Sequence, residues 1–156
     1  DLGIAPQTAQ AFIDAYFMRY PRVKGFLDGQ IDFVKKHGYV ATLLGRRRYI
    51  PEINNAHMAV RSFAERQAIN APIQGSAADL IKRAMVDVSG ALKKGNFRSR
   101  LIMQVHDELV FEVQRKEKEK LVACVRSLME KAICLRVPVK TTIFLGKNWL
   151  ETEAVA

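Results

Sequence analysis

"QVHDELVFEV", residues 104–113, places three consecutive ionisable residues, His106, Asp107 and Glu108, inside a stretch that is otherwise apolar and β-prone. "LIMQV" leads into them and "LVFEV" leads out. If the two runs pair as antiparallel strands, the triplet lies at the tip of a hairpin. A tight tip usually carries Asn-Gly or Asp-Gly, because the backbone there must take a positive φ. This tip has no glycine, and its residues are ligands by type rather than turn formers by preference. Adjacent carboxylates repel each other and are stabilised by a cation or a basic group. Mg²⁺ typically takes one or two carboxylates together with substrate phosphates. A carboxylate pair on a rigid apolar hairpin therefore suits metal-assisted phosphoryl chemistry. The other account is an ordinary solvated polar turn, and the dipeptide alone favours it.

Working outward, the flanking sequence is helical on both sides. Upstream, residues 56–94 read as a long helix interrupted once, "AVRSFAERQAIN", "APIQG", "SAADLIKRAMVDVSGALKK". Pro72 lacks an amide hydrogen, so the helix is expected to bend or stop there. Ser76 followed by Asp79 resembles a capping box that restarts it. Ala77, Ala78, Leu80, Ile81, Ala84, Met85, Val88 and Leu92 then supply a broad apolar face. Downstream, "KEKEKLVACVRSLMEKAICL" reads as an amphipathic helix, "VPVKTTIFLG" as a final strand, and "KNWLETEAVA" as a tail anchored by Trp149. At the other end, Pro6 and Pro21 each suit a first helical turn, and Gly38 suits the position past the second helix. "YVATLLGRRRYIP" changes to strand-like patterning around a turn at Leu44-Gly45, followed by Arg46, Arg47 and Arg48. The whole reads as α+β, helices packed on an antiparallel sheet.

The chain has 156 residues, enough for one domain with a real core. Lys+Arg number 25 and Asp+Glu 16, a formal charge of +9 that favours a polyanionic partner, nucleic acid before membrane. Against that background the arginine triplet is either a solvated run or a set of phosphate contacts. Cys124 and Cys134 lie in apolar, helical-looking sequence and read as buried free thiols in a reducing compartment. With three scattered histidines, His37, His57 and His106, they do not make a zinc site. There is no signal peptide and no apolar run of membrane-spanning length. The chain opens on "DLGIAP" without an initiator Met, which reads as a piece of something longer.

Arg66, Asn70 and Gln74 form a second constellation. Spaced by four, they lie near one line on a helix and interrupt a face rich in alanine. All three carry donors. In the minor groove every base pair offers purine N3 and pyrimidine O2 acceptors in nearly the same places, so a line of donors can test pair geometry without reading sequence. Alternatively, Asn70 and Gln74 satisfy backbone groups at the Pro72 break.

Together, "TLLGRRRYIPEI", "AERQAINAPIQGSAADLIKRAM", "QVHDELVFEV" and the late "NWL" resemble family A DNA polymerases, most closely the bacterial polymerase I type. The resemblance runs over essentially the whole chain. It implies that the 104–113 stretch is the palm hairpin called motif C. Asp107 then matches the catalytic, metal-binding aspartate, Glu108 the neighbouring carboxylate with a lesser role, and His106 the residue near the primer terminus. Arg66, Asn70 and Gln74 match residues that contact the primer–template minor groove and the nascent pair, and Arg46, Arg47 and Arg48 have a DNA-backbone role. Residues 1–55 match the end of the fingers and 56–156 a portion of the palm. A "DYSQIELR"-like strand with the other catalytic aspartate does not occur here, nor does the fingers helix that holds the incoming nucleotide. The implied activity is two-metal, Mg²⁺-dependent nucleotidyl transfer from a dNTP to a primer, in replication and repair. The implied setting is a monomeric cytoplasmic enzyme, nucleoid-associated in a bacterium, with no membrane partner. Adjacent His-Asp also occurs in histidine–aspartate phosphohydrolases, but those need further histidines in motifs that His37 and His57 lack. The remaining alternative is a non-catalytic basic module that binds duplex nucleic acid.

Overall fold

The computed structural model describes residues 3–155, and the chain divides into two compact units, Asp1–Ser76 and Ala77–Ala156. In the first, α1 (Pro6–Arg19) and α2 (Pro21–His37) each begin on a proline, where the missing amide hydrogen costs nothing. α1 has no buried residue, and Phe12, Ile13 and Tyr16 stay exposed. α2 ends at Gly38, whose φ of 76° lets its amide donate to the Val34 carbonyl at 2.7 Å. β1 (Tyr39–Ala41) and β2 (Arg47–Tyr49) then pair antiparallel around Leu44-Gly45, as expected. A short 3-10 turn, Pro51–Asn54, leads to α3 (Met58–Lys94). Asn55 shapes this entry: its side-chain oxygen accepts the His57 amide, and its carbonyl accepts from Arg61. Val34, Val40, Ile50 and Ile53 pack against Ala64, Ala68 and Ala71 of α3 to form the core of this unit.

α3 runs unbroken through Pro72, so the helix does not stop there and restart at Ser76. Ser76 is no cap. Its hydroxyl donates back to the Pro72 carbonyl at 2.5 Å and accepts the Leu43 amide at 2.9 Å. The hydroxyl that read as a helix start is thus used inside the helix.

In the second unit, the last turns of α3 bury Ile81, Ala84, Val88 and Leu92 of the expected apolar face, while Ala78, Leu80 and Met85 are half-buried, Ala77 is exposed and Asp79 is buried instead. β3 (Arg100–Val105) and β4 (Glu108–Glu112) form the expected hairpin, with a bulge between Leu101 and Met103. α4 (Lys118–Glu130) closes the core by adding Leu121 and Val125 to Val88 and Leu92, with Phe97, Leu101, Phe111 and Val113 against them. The expected helix over 116–135 is cut short. α4 stops at Glu130, whose carboxylate accepts the Thr141 amide at 3.0 Å from the returning chain. Cys134 therefore lies beyond the helix and is exposed, while Cys124 is half-buried; both are free thiols, but not a buried pair. The last part also differs. β5 (Ile143–Gly146) is not the final strand, because β6 (Thr152–Val155) pairs with it antiparallel. Trp149 is 55% exposed, too open to anchor the tail by burial. The tail is held by the β5–β6 ladder and by Arg126, which donates to the Val155 carbonyl at 3.2 Å.

The architecture is α+β, but among the described residues the strands form three separate two-stranded ribbons rather than one sheet. No described helix is long and apolar enough to cross a membrane.

One carboxylate fastens the base of the β3–β4 hairpin. Glu117 accepts the amides of Arg98 and Ser99, each at 2.9 Å, and the Ser99 hydroxyl at 2.7 Å. The Ser99 oxygen in turn accepts the Gln114 amide at 3.0 Å. The Arg98 amide, then the Ser99 hydroxyl and amide, hold the Glu117 carboxyl below its ordinary value, with Lys120 adding to the effect. A carboxyl whose folded pKa is depressed stabilises the fold above the ordinary carboxylate range. That stabilisation is lost as pH falls through the depressed value. Urea unfolding midpoints of the wild type should therefore drop more on acidification to about pH 3 than those of Glu117→Gln. Ser99→Ala takes an acceptor from the Gln114 amide and a donor from the Glu117 carboxylate and should lower the urea midpoint at neutral pH.

Candidate functional site

Residues Val105 and Glu108 are cross-strand partners, so His106 and Asp107 alone make the tip of the β3–β4 hairpin. Glu108 is the first residue of β4. His106 has φ of 52°, in the left-handed region that favours glycine or asparagine. Gln104 holds this backbone by donating from its side-chain amide to the His106 carbonyl at 2.5 Å. A histidine in a position where glycine would turn more easily argues that the side chain is wanted there. All three side chains are exposed. Asp107 and Glu108 present hard oxygen donors next to each other, but no group of three or more His, Cys, Asp or Glu is gathered for a metal among the described residues. The donor set fits a cation that takes one or two carboxylates from the protein and fills its remaining positions elsewhere, as Mg²⁺ does. It does not fit a closed tetrahedral zinc site.

In the first unit, α3 sets Arg66, Asn70 and Gln74 on one exposed stripe, each about 6 Å further along the axis. The opposite face is committed to the core by Ala64, Ala68 and Ala71, which forces the polar side chains outward. Phe63 and Ile73, 56% and 57% exposed, share the outward stripe, and the Arg66 guanidinium lies 5.8 Å from the Phe63 ring centre. These two apolar neighbours were not singled out from the sequence, where they look like core positions of a helix.

The three arginines of the triplet have different surroundings. Arg47 stacks over the Tyr39 ring at 4.6 Å. Arg48 is paired across the ribbon with Val40. Arg46 turns toward α3, and its guanidinium donates to the Gly75 carbonyl at 3.0 Å. Arg46, Arg48, Gln74 and Gly75, with Thr42, line a small cavity of about 90 Å³. The structure thus brings Arg46 and Arg48 to the end of the Arg66–Asn70–Gln74 stripe. Thr42, Gly75 and Ser76 at this junction were not read from the sequence as site residues. The available signal was Gly75, a glycine inside a helical pattern, which usually marks a close approach.

The family model for DNA polymerase family A matches residues 1–151. The chain is 46% identical over 153 residues to DNA polymerase I of Bacillus caldotenax, covering 98% of this chain and 17% of that protein. It is 45% identical over 148 residues to DNA polymerase I of Mycobacterium tuberculosis (strain ATCC 25618 / H37Rv), covering 95% of this chain and 16% of that protein. Among solved structures, the POL domain of Pol1 from M. smegmatis, in complex with DNA primer-template and dNTP, superimposes with a TM-score of 0.86 at 47% identity. That match covers 89% of this chain and 24% of that one. The chain spans about a sixth of the length of the curated relatives it matches. It belongs to DNA polymerase family A.

Proposed function

We propose that this chain is part of a DNA-directed DNA polymerase, with residues 1–55 ending the fingers and 56–156 forming part of the palm. The observation that carries the reading is the hairpin tip: two adjacent exposed carboxylates and a histidine at positive φ, on a ribbon fastened at its base, in a member of this family. In the reaction, the primer 3′-hydroxyl oxygen bonds to the α-phosphorus of a dNTP. The bond from that phosphorus to its bridging oxygen breaks, and pyrophosphate leaves. Two Mg²⁺ ions, when bound, stabilise charge on the attacking and leaving oxygens. Asp107 would hold metal, with Glu108 beside it as the second, lesser carboxylate of the pair. His106 is placed by its backbone to meet the primer terminus. Arg66, Asn70 and Gln74 donate into the minor groove of the primer–template, and Arg47 and Arg48 serve its phosphates. The dNTP is held mostly by residues outside these 156, and the enzyme works as a cytoplasmic monomer on DNA. A non-catalytic duplex-binding module has no observation of its own in its favour, since the basic surface and the polar stripe both belong to the polymerase reading.

Three outcomes are expected. The purified 156-residue chain, given primer–template, Mg²⁺ and all four dNTPs, should not extend a primer. Asp107 has no second ligand cluster to complete its site here, and positioning with metal clamping supplies most of this catalysis. Template-dependent extension by the isolated chain would show that these residues already hold a complete site. In the full-length protein, Asp107→Asn should keep DNA affinity but lose several kcal/mol of barrier lowering, about what removing a key electrostatic group costs. Near-normal turnover would reduce the tip to a plain turn. Gln74→Ala in the same protein should narrow the gap between extending matched and mismatched primer ends, and do so equally for all four correct pairs. The expected size is about 1–3 kcal/mol, the cost of a donor left unpaired by a mismatch. Selective slowing of one correct pair would refute the geometry-reading role.

A further inference from the structure

The loop that carries the arginine triplet is tied to the helix turn that carries Gln74. Thr42 closes the loop: its amide donates to the Arg46 carbonyl at 2.9 Å, and its carbonyl and hydroxyl oxygens accept the Gly45 and Arg46 amides at 2.9 and 3.1 Å. The closed loop is docked on α3. The Leu43 amide donates to Ser76 Oγ at 2.9 Å, and Arg46 Nη2 donates to the Gly75 carbonyl at 3.0 Å. Gln74 immediately precedes both docking residues and lines the same small cavity as Arg46 and Arg48.

Gly75 is the contact that makes this approach possible. A Cβ there would lie 2.6 Å from Thr42 Cγ2 and 3.4 Å from Arg46 Nη2. Turning the threonine aside to make room would move the Oγ1 that accepts the Arg46 amide. A glycine in a helix interior costs about 1 kcal/mol relative to alanine, and here that cost is explained by a backbone that must be met closely.

From this we infer that Arg46 is a positioning residue rather than a DNA contact: with Gly75, Thr42 and Ser76 it locks the loop to α3 and thereby sets how Gln74 is presented to the duplex. The inference rests on the minor-groove role proposed for Gln74. The guanidinium is engaged with a helix carbonyl, which aims it at the protein. Arg47, its neighbour in sequence, lies over the Tyr39 ring instead, so the triplet does not share one partner.

The test uses the full-length protein on primer–template DNA, with two readouts: the ratio of matched to mismatched extension rates, and the slope of log affinity against log salt. Arg46→Ala should reduce discrimination roughly two- to tenfold, the worth of one hydrogen bond, and leave the salt slope unchanged. Gly75→Ala should do the same. Thr42→Ser, which removes Cγ2 and keeps the hydroxyl, should restore discrimination when combined with Gly75→Ala. In a Gln74→Ala background neither Arg46→Ala nor Gly75→Ala should cost further discrimination. A salt slope reduced by about one with discrimination intact would make Arg46 a phosphate contact and overturn the inference. Further loss on top of Gln74→Ala, or no rescue by Thr42→Ser, would also overturn it. If Gln74→Ala itself leaves discrimination unchanged, the minor-groove reading falls and the inference falls with it. If Gln74→Ala acts as expected and Arg46→Ala does not, only the inference falls.

Discussion

Alanine at 64, 68 and 71, followed by glycine at 75, leaves α3 with almost no side-chain volume on one face over three turns. Close packing demands that something fill that space. Val34, Val40, Ile50 and Ile53 do so, and the β1–β2 ribbon is drawn onto the helix. Once that face is committed, everything else in the first unit follows from it. The long polar side chains of Arg66, Asn70 and Gln74 have only the outer face left. The loop at 42–46 arrives close enough to bond to helix backbone. A helix interior that tolerates a proline at 72 is part of the same economy of volume, since Pro72 is itself buried there and Ser76 engages its carbonyl.

The second unit separates stability from chemistry along one hairpin. Its base is fixed by the Glu117–Ser99 cluster and by Leu101 and Phe111 on the core of Val88, Leu92, Leu121 and Val125. Its tip carries no core residue. Two like charges and a left-handed histidine backbone are unfavourable features locally, and they persist where the surrounding structure over-determines the turn. A two-residue connection between well-paired strands leaves the chain no alternative route.

Much of this was legible in the sequence, because it depended on local rules. Helix starts at Pro6 and Pro21, the stop at Gly38, the hairpin at Leu44-Gly45, and the 106–107 tip all follow from residues within a few positions of one another. The misreadings came where a distant partner decided the outcome. Ser76 looked like a cap until Leu43, thirty-three residues earlier, brought an amide to it. Nothing near Arg46 in sequence pointed to its bond to the Gly75 carbonyl. The helix through Cys134 was cut by Thr141 returning to Glu130. β6 was unreadable because "ETEAV" has weak strand patterning and gains its conformation from pairing with β5. Trp149 failed as an anchor for a simpler reason: the ladder and Arg126 hold the tail without it.

Mounting the donors of the proposed minor-groove face on a helix, rather than a loop, has a geometric consequence. Residues four apart advance about 6 Å along the axis, and base pairs in a duplex are spaced about 3.4 Å. Successive donors therefore advance by slightly less than two base-pair steps. They also drift about 40° around the axis at each step, because four residues overshoot one turn. A helix lying along a groove would thus bring its first and third donors to different depths. The donor at the docked end, Gln74, is the one whose helix turn is fastened from another element, by Arg46 on the Gly75 carbonyl and by the Leu43 amide on Ser76 Oγ. Geometric testing needs a rigid probe, since a donor that can follow a displaced acceptor reports nothing. Gln74 stands beside the turn that the loop fastens, so a mismatch should be felt there.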